Sequence, residues 1–396
     1  MNSVAFVQPS ANLDGSAVSG RMLMNGFRQA GWSVQAIFAF DGPMVEIMEK
    51  EGFQVSIIPH KNWLRTSSPL RFGKIMCQEW AAAGRFVKAF QAHQPDLVYV
   101  NSIISLAAAE AARRLHIPTV WHARELFSDV NGELVLPRFL GKRLIQHIMR
   151  KRADAFIAIS KKVRENILGS PLPVNTHIIN NAVSQDMFTP KTTTTTEAAR
   201  EALAVPRDRF LIGVPANLRP VKGIPFLLKA LPDVVSKFPK CLFVITGDGT
   251  EEYRQALLKQ VHTLGLGQHV HFTGQLKDMS QLYHACQIAC IPSRSEAFGR
   301  TAIECFASRT PVVASAVGGL LEIIKDQETG LLVAYQDTDQ LARTLVSLIQ
   351  DDSLRERLTE NAFRRAQECF TETDYHRRVI SVAETVLKSR RTTRPE

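Results

Sequence analysis

The chain has 396 residues, 45% of them hydrophobic and 22% charged, with a formal net charge of +10. That length exceeds one typical domain and suffices for two, each with its own core. The composition excludes a disordered or fibrous chain, and no apolar run approaches the roughly 20 residues of a membrane-spanning helix.

The first nine residues hold only a short apolar run, Val4 to Val7, and no cationic stretch, so no signal peptide is expected there. Cys77, Cys241, Cys286, Cys290, Cys305 and Cys369 form no disulfide framework. Cys286 and Cys290, with His284 close by, raise a metal site, but no second ligand pair accompanies them. Buried, reduced thiols of a cytosolic protein are expected instead.

Taken in chain order, the first half alternates strands and helices. Strands are predicted at 3–8, 34–40, 54–59, 97–101, 119–122, 153–160 and 177–180. Helices are predicted at 18–30, 44–51, 73–93, 105–116 and 161–168. Such alternation predicts a parallel sheet covered on both faces, with ligands at the carboxyl ends of its strands. Three points fall there: the turn around Gly15 and Ser16, the run Trp121-His122-Ala123-Arg124-Glu125, and Ser160. His122 is expected at a crevice edge, where an imidazole orients a sugar hydroxyl or acts as acid or base. The bland alternative is a structural histidine.

Residues 1–190 carry 21 Lys and Arg against 14 Asp and Glu, a net +7; the remainder carries 27 against 24, a net +3. Within the basic half, Arg138, Lys142, Arg143, Arg150, Lys151 and Arg152 interleave with Phe139, Leu140, Leu144, Ile145, Ile148 and Met149. The pattern predicts an amphipathic basic helix suited to an anionic membrane surface. It equally fits a helix whose apolar stripe faces its own core. No nucleic-acid motif accompanies it, and no aromatic residues are spaced as stacking platforms, so nucleic acid is not expected as a partner.

Between the halves, Lys191 and the threonines at 192–196 lack apolar periodicity and read as a flexible surface loop beside a domain boundary. The second half then repeats the alternation. Strands are predicted at 210–214, 242–246, 270–273, 287–292 and 311–315. Helices are predicted at 224–238, 252–264, 279–285, from 300 or 301 onward, and at 320–325, 339–350, 353–368 and 375–388. In the stretch Ser293-Arg294-Ser295-Glu296-Ala297-Phe298-Gly299-Arg300-Thr301-Ala302-Ile303-Glu304-Cys305, two glutamates bracket seven residues between a strand and a helix start. A strand, a glycine turn and a helix N-terminus suit a phosphate or a polyol, because backbone N–H groups point outward there. Lys222, just before Gly223 and a helix, suits a diphosphate. Asp337-Thr338-Asp339 has the look of a metal-holding acidic triplet. It directly precedes a helix, however, and reads as an N-cap by Asp339 or Thr338 rather than a metal site.

In order and spacing, several segments together resemble the nucleotide-sugar-binding half of a retaining glycosyltransferase of family 4. They are Asn217 to Gly223, Thr246-Gly247-Asp248-Gly249, Phe272-Thr273-Gly274, Ser293 through Glu304, Thr310-Pro311-Val312-Val313-Ala314-Ser315, Gly318-Gly319 and Glu328-Thr329-Gly330-Leu331-Leu332-Val333. The match is dense over about 205–370 and looser before. The resemblance implies an α/β GT-B fold, two doubly wound Rossmann-like domains facing a central cleft. It implies an acceptor-side domain over 1–185, a nucleotide-sugar-binding domain over 186–374, and a helix at 375–396 crossing back to the first domain.

The resemblance also implies roles by position. Glu296, with the backbone of Phe298 and Gly299, would hold the donor sugar, Glu304 the ribose hydroxyls, and Lys222 the diphosphate. Gly15 and Ser16 would close over the donor, and His122 would lie at the sugar. Leu276 and Phe298 would shape the pocket for base and sugar. Asn217 stands where members often carry an arginine, and Asn180-Asn181-Ala182-Val183-Ser184 where Asn-Gly-Val-Asp is common; both bear on diphosphate binding.

The expected protein is a metal-independent, hexosyltransferase-type enzyme with no cofactor beyond a UDP- or GDP-linked co-substrate. Its catalytic residues would be Glu296, Lys222 and His122. It would serve cell-surface polysaccharide or lipopolysaccharide synthesis on a glycan or lipid-linked acceptor, in the cytoplasm or peripherally at the inner membrane face. The alternatives are a non-catalytic nucleotide-sugar or glycan binder, a sugar-nucleotide epimerase, or a phosphorylase, for which no pyridoxal-phosphate lysine signature is present.

Overall fold

The structure, a computed structural model, describes residues 1–392 apart from 65, 67, 128–133, 135–138 and 174. Residues up to 181 and from Glu372 onward make one compact unit, and Ala182–Thr371 a second. The expected boundaries at 185/186 and 374/375 lie three or four residues later.

The first unit is built on a parallel sheet of β1 (Ser3–Gln8), β2 (Ser33–Phe38), β3 (Gln54–Ile57), β4 (Leu97–Asn101), β5 (Thr119–Ala123), β6 (Ala155–Ala158) and β7 (Thr176–Ile178). Its order is β3-β2-β1-β4-β5-β6-β7. Val4, Ala5, Phe6 and Val7 of β1 are at most 1% exposed, as continuous apolar strands must be when helices cover both faces. The chain leaves β1 toward one edge and returns on its other side at β4, so the topological switch point lies between β1 and β4. The helix Gly15–Gln29 follows β1 and is capped by Asp14, whose Oδ1 accepts from Ser16 N at 2.9 Å and Ala17 N at 3.0 Å. The last helix, Glu372–Thr392, packs in this unit. There Arg378 donates to the Ile178 carbonyl at 2.7 Å, and Arg390 to Asp154 at 2.7 Å.

The second unit repeats the design with β8 (Phe210–Pro215), β9 (Cys241–Thr246), β10 (Val270–Gly274), β11 (Ile288–Ile291), β12 (Val312–Ser315) and β13 (Leu331–Val333). The order is β10-β9-β8-β11-β12-β13, again parallel, with the switch point between β8 and β11. β13 was not predicted as a strand. Its three residues are too few to show a period, and it is held by register against β12, with Leu331 opposite Val313.

Several expectations are corrected. The threonine run is not a loop. The helix Thr193–Ala202 begins in it, because Thr192 Oγ1 accepts from Thr195 N at 3.2 Å while Thr195 Oγ1 accepts from Thr192 N at 2.8 Å. This reciprocal capping box outweighs the weak helix propensity of threonine, and Ala199 and Arg200 bury the far turn. The cap of Thr338–Gln350 is Asp337, accepting from Gln340 N at 2.8 Å, rather than Thr338 or Asp339. Cys77 and Cys369 are exposed thiols, whereas Cys241, Cys286, Cys290 and Cys305 are buried. No described helix is long and apolar enough to cross a membrane.

The basic helix spans Gly141–Arg150 and turns Ile145 and Met149 inward. Arg150 at its end and Arg152 just beyond it are engaged internally. Arg150 donates to the Leu168 carbonyl at 3.1 Å, and Arg152 pairs with Glu110 at 2.8 Å. Arg138 lies outside the described residues.

Candidate functional site

In the second unit, the loops that follow β8 and β11 meet at the switch point. β8 runs into the single turn Pro220–Lys222, and Gly223 then opens the helix Ile224–Lys237. β11 runs into Pro292 and the turn carrying Glu296, after which Gly299 opens the helix Arg300–Ala307. The N-cap of each is a glycine, which has no side chain to bond the first amides. The two loops are bonded to each other, Arg294 N donating to Val221 O at 2.8 Å.

Two glycines permit close approaches here, Gly223 between these two loops and Gly318 between the Glu296 turn and the loop after β12. Gly223 has φ +66°, and a Cβ on it would lie 1.9 Å from the Pro292 carbonyl oxygen. Gly318 has φ +53°, and its Cβ would lie 1.9 Å from the Glu296 carbonyl oxygen, which accepts from Gly319 N at 2.9 Å. A left-handed residue without a side chain is the only one that fits either place. The outcome is an ion pair across the switch point: Lys222 Nζ lies 2.7 Å from Glu296 Oε2, with Ser293 Oγ 3.4 Å from the same oxygen. Their side chains are 23% and 15% exposed, so the pair is recessed yet reachable.

Glu304 sits one turn inside the helix Arg300–Ala307 and is 7% exposed. Tyr283 donates to its Oε2 at 2.8 Å, and Arg300 Nε to its Oε1 at 2.8 Å. Tyr283 was not recognised in the sequence. It lies on the short helix Ser280–Ala285 ahead of β11, where its spacing is that of any core aromatic. Burial, and then the neighbouring Glu304, push its phenol well above the ordinary range, so it stays protonated and donates.

The other expected donor residues of this unit are placed as follows. Asn217 is exposed in the loop after β8, and Leu276 is half-buried in the loop after β10, both at the carboxyl edge of the sheet. Gly299, with φ +108°, lies under Leu320. Phe298 is 2% exposed, its ring set edge-on to Phe370 with centroids 6.2 Å apart. The Phe298 ring is therefore core, and only its backbone faces the Glu296 turn. Among the described residues no cluster of three or more His, Cys, Asp or Glu is arranged to hold a metal ion.

In the first unit, the carboxyl ends of β1, β4 and β5 form a buried polar network. Asn101 donates to Gln8 Oε1 and, at 3.3 Å, to the Ser16 carbonyl, while Gln8 Nε2 donates to Ser16 Oγ at 3.3 Å. This binds the start of the Gly15 helix to the switch point. Gly15 itself is exposed and Ser16 half-buried. Arg124 spends its guanidinium on Asn181 at 2.7 Å, Tyr375 at 2.9 Å, and Asn101. It is therefore a structural clamp on the last helix.

His122 is not at a crevice edge. It belongs to β5 and is 0% exposed. Its Nδ1 lies 2.6 Å from Tyr99 Oη and 3.3 Å from Arg124 Nη2. A guanidinium can only donate, so Nδ1 is an acceptor and the ring proton sits on Nε2. Nε2 is buried with no hydrogen-bond partner among the described residues. Burial, and then the Arg124 charge, hold the imidazole well below its usual range. His122 is thus a neutral N–H donor at neutral pH. Neither of the other first-unit candidates is comparable. Ser160 caps Lys161–Val163, accepting from Val163 N at 3.0 Å. Glu125 accepts from Ile103 N at 3.2 Å and Arg124 N at 3.1 Å, closing its own turn.

Solved structures share this architecture over nearly the whole chain. Anabaena HepE in complex with UDP and glucose superposes with a TM-score of 0.81 at 22% identity, covering 96% of this chain and 99% of that one. A glycosyltransferase from Rickettsia africae gives 0.82 at 20%, covering 98% and 99%. The fold is accordingly the GT-B, two-domain Rossmann-like α/β fold.

The sequence carries the assignment further. Residues 13–186 match the Glycosyltransferase Family 4 pattern, and residues 195–365 match glycosyl transferases group 1. A lipopolysaccharide core biosynthesis mannosyltransferase of Rhizobium leguminosarum is 32% identical over 269 residues, 63% of this chain and 74% of that protein. A D-inositol 3-phosphate glycosyltransferase of Corynebacterium aurimucosum is 28% identical over 263 residues, 64% of this chain and 62% of that protein. The chain belongs to glycosyltransferase family 4.

Proposed function

We propose that the protein transfers a hexose from a UDP- or GDP-linked sugar to a glycan or lipid-linked acceptor in cell-surface polysaccharide or lipopolysaccharide synthesis, with retention of anomeric configuration. The observation that carries this is the Lys222–Glu296 pair at the switch point of β8 and β11, with Glu304 recessed in the helix that follows. Ligands of doubly wound sheets bind at that point. Lys222 is assigned to the diphosphate and Glu296 to the donor sugar, together with the Phe298 and Gly299 backbone. Glu304 takes the ribose hydroxyls, and Asn217 and Leu276 border the nucleotide. Gly15, Ser16 and the Nε2–H of His122 are proposed for substrate recognition within the first unit.

In the reaction the bond from the anomeric carbon to the diphosphate oxygen breaks, and the acceptor oxygen bonds to that carbon from the same face. The acceptor's proton passes to the departing phosphate. No protein base is needed, which accords with His122 being a neutral donor rather than the acid or base considered from sequence. Charge developing on the diphosphate is met by Lys222 and the two glycine-led helix starts, so no metal is invoked. A unit charge about 4 Å from the leaving group contributes about 4 kcal/mol at an effective dielectric near 20, or about 1,000-fold in rate. Lys222→Ala should lower turnover by roughly that factor, and near-normal turnover would sink its role. Slow hydrolysis of a nucleotide sugar without acceptor separates this proposal from a non-catalytic binder, which would show none.

Peripheral membrane docking at the inner face belongs to the same proposal. The rings of Phe72 and Phe139 meet at 5.4 Å, joining the start of the helix Pro69–His93 to the approach of the basic helix. Around them Leu70 is 89% and Leu144 45% exposed, beside exposed Arg71, Lys74 and Arg143. Apolar tips among cations suit an anionic lipid surface. Sedimentation with anionic vesicles should be salt-dependent and weakened by Leu70→Glu. Binding that ignores both salt and the substitution refutes docking through this face.

A further inference from the structure

We infer that Tyr283 and Arg300 are positioning residues that hold the Glu304 carboxylate for a ribose diol and so set the preference for ribonucleotide over deoxyribonucleotide donors. The inference rests on the assignment of Glu304 to the ribose made above.

Each oxygen of Glu304 has one protein donor, Tyr283 Oη on Oε2 and Arg300 Nε on Oε1, both at 2.8 Å. A carboxylate has about four lone-pair sites, so one remains on each oxygen. Two adjacent acceptors on a plane fixed from both sides match two vicinal hydroxyls. Without the clamp, the side chain would lose orientation while its charge remained.

The clamp is itself braced. Tyr283 is fully buried, and its backbone carbonyl accepts from Thr310 Oγ1 at 2.9 Å and from Lys191 Nζ at 2.9 Å. Lys191 also donates to the Cys286 carbonyl. A half-buried lysine thus gathers carbonyls at the end of the helix Ser280–Ala285, where the helix dipole favours a cation. Arg300 lies one turn before Glu304 on the same helix, the two forming an i,i+4 pair.

The test is calorimetric titration of the full chain with UDP and GDP and with the 2′-deoxy form of whichever binds more tightly. Wild type should prefer the ribonucleotide by about 10-fold or more, the usual effect of a lost hydrogen bond to a charged group. Tyr283→Phe should erase most of that preference while changing affinity for the 2′-deoxy form less than about twofold. A purely structural role of Tyr283 would weaken both ligands alike. Retained preference in Tyr283→Phe together with its loss in Glu304→Gln overturns the inference and leaves the ribose assignment intact. Retained preference in Glu304→Gln, or no binding of either nucleotide to wild type, overturns the assignment and the inference together. Arg300→Gln, at a quarter-exposed side chain, repeats the comparison should Tyr283→Phe fail to fold.

Discussion

Gly223→Ala is the most informative single change to the site, because it adds one methyl group at the point where the two loops touch. The added Cβ would stand 1.9 Å from the Pro292 carbonyl oxygen, where real Cβ contacts essentially never fall under 3.0 Å. Both partners are backbone, so no side chain can swing aside, and the loops must part by about 1 Å. A left-handed conformation costs an alanine about 1 kcal/mol, and forced overpacking typically adds 1–3 kcal/mol. A total of about 3 kcal/mol lowers the melting temperature of a unit this size by about 6–12 °C. Parting the loops also lengthens the Lys222–Glu296 pair, so stabilisation by a bound nucleoside diphosphate should fall as well. The assay is a calorimetric melt of the full chain with and without UDP or GDP. Gly267→Ala in the same unit is the control, since a Cβ there meets nothing within 4 Å. If Gly223→Ala melts within about 2 °C of that control and keeps the full ligand shift, the close approach does not build the site.

Two further outcomes follow from the geometry. Since burial and Arg124 lower the His122 pKa, the ring stays neutral as pH falls through the ordinary histidine range. Any contribution of His122 to substrate affinity should therefore be flat between about pH 8 and 6, and a loss centred near 6.5 that disappears in His122→Asn would contradict the assigned tautomer. Thr192→Ala removes the acceptor for Thr195 N and should cost about 1 kcal/mol in chemical denaturation, whereas the loop expected from the sequence would cost nothing measurable.

Much of this site was visible in the sequence because its chemistry is local. Lys222-Gly223 and Glu296 to Glu304 each sit on a strand–turn–helix unit whose period changes over a few residues, and the switch point follows from the strand order such units imply. What escaped depended on distant pairing. Tyr283 is indistinguishable from a core aromatic until the fold brings its hydroxyl to Glu304, 21 positions away. His122 looked peripheral because it ends an apolar run, yet Tyr99 from β4 and Tyr375 from the last helix close over it and Arg124. Arg150 and Arg152 looked like part of a free cationic face until the Leu168 carbonyl and Glu110 claimed them. The threonine run misled for the opposite reason. Its lack of apolar periodicity pointed to a loop, but a local capping box and two buried residues beyond it outweighed the poor helix propensity of threonine.

A nucleoside diphosphate sugar is proposed to bind at the β8/β11 switch point through Lys222. Thermal shift of wild type and Lys222→Ala against a panel of UDP- and GDP-linked sugars tests it most directly. At about 100 times its Kd, one donor should stabilise the wild type by about 2.7 kcal/mol, seen as a rise of roughly 5–10 °C in the second unit's transition. The same donor at the same concentration should leave Lys222→Ala almost unshifted. Equal shifts in the two proteins, or none in the wild type across the panel, would contradict donor binding through Lys222.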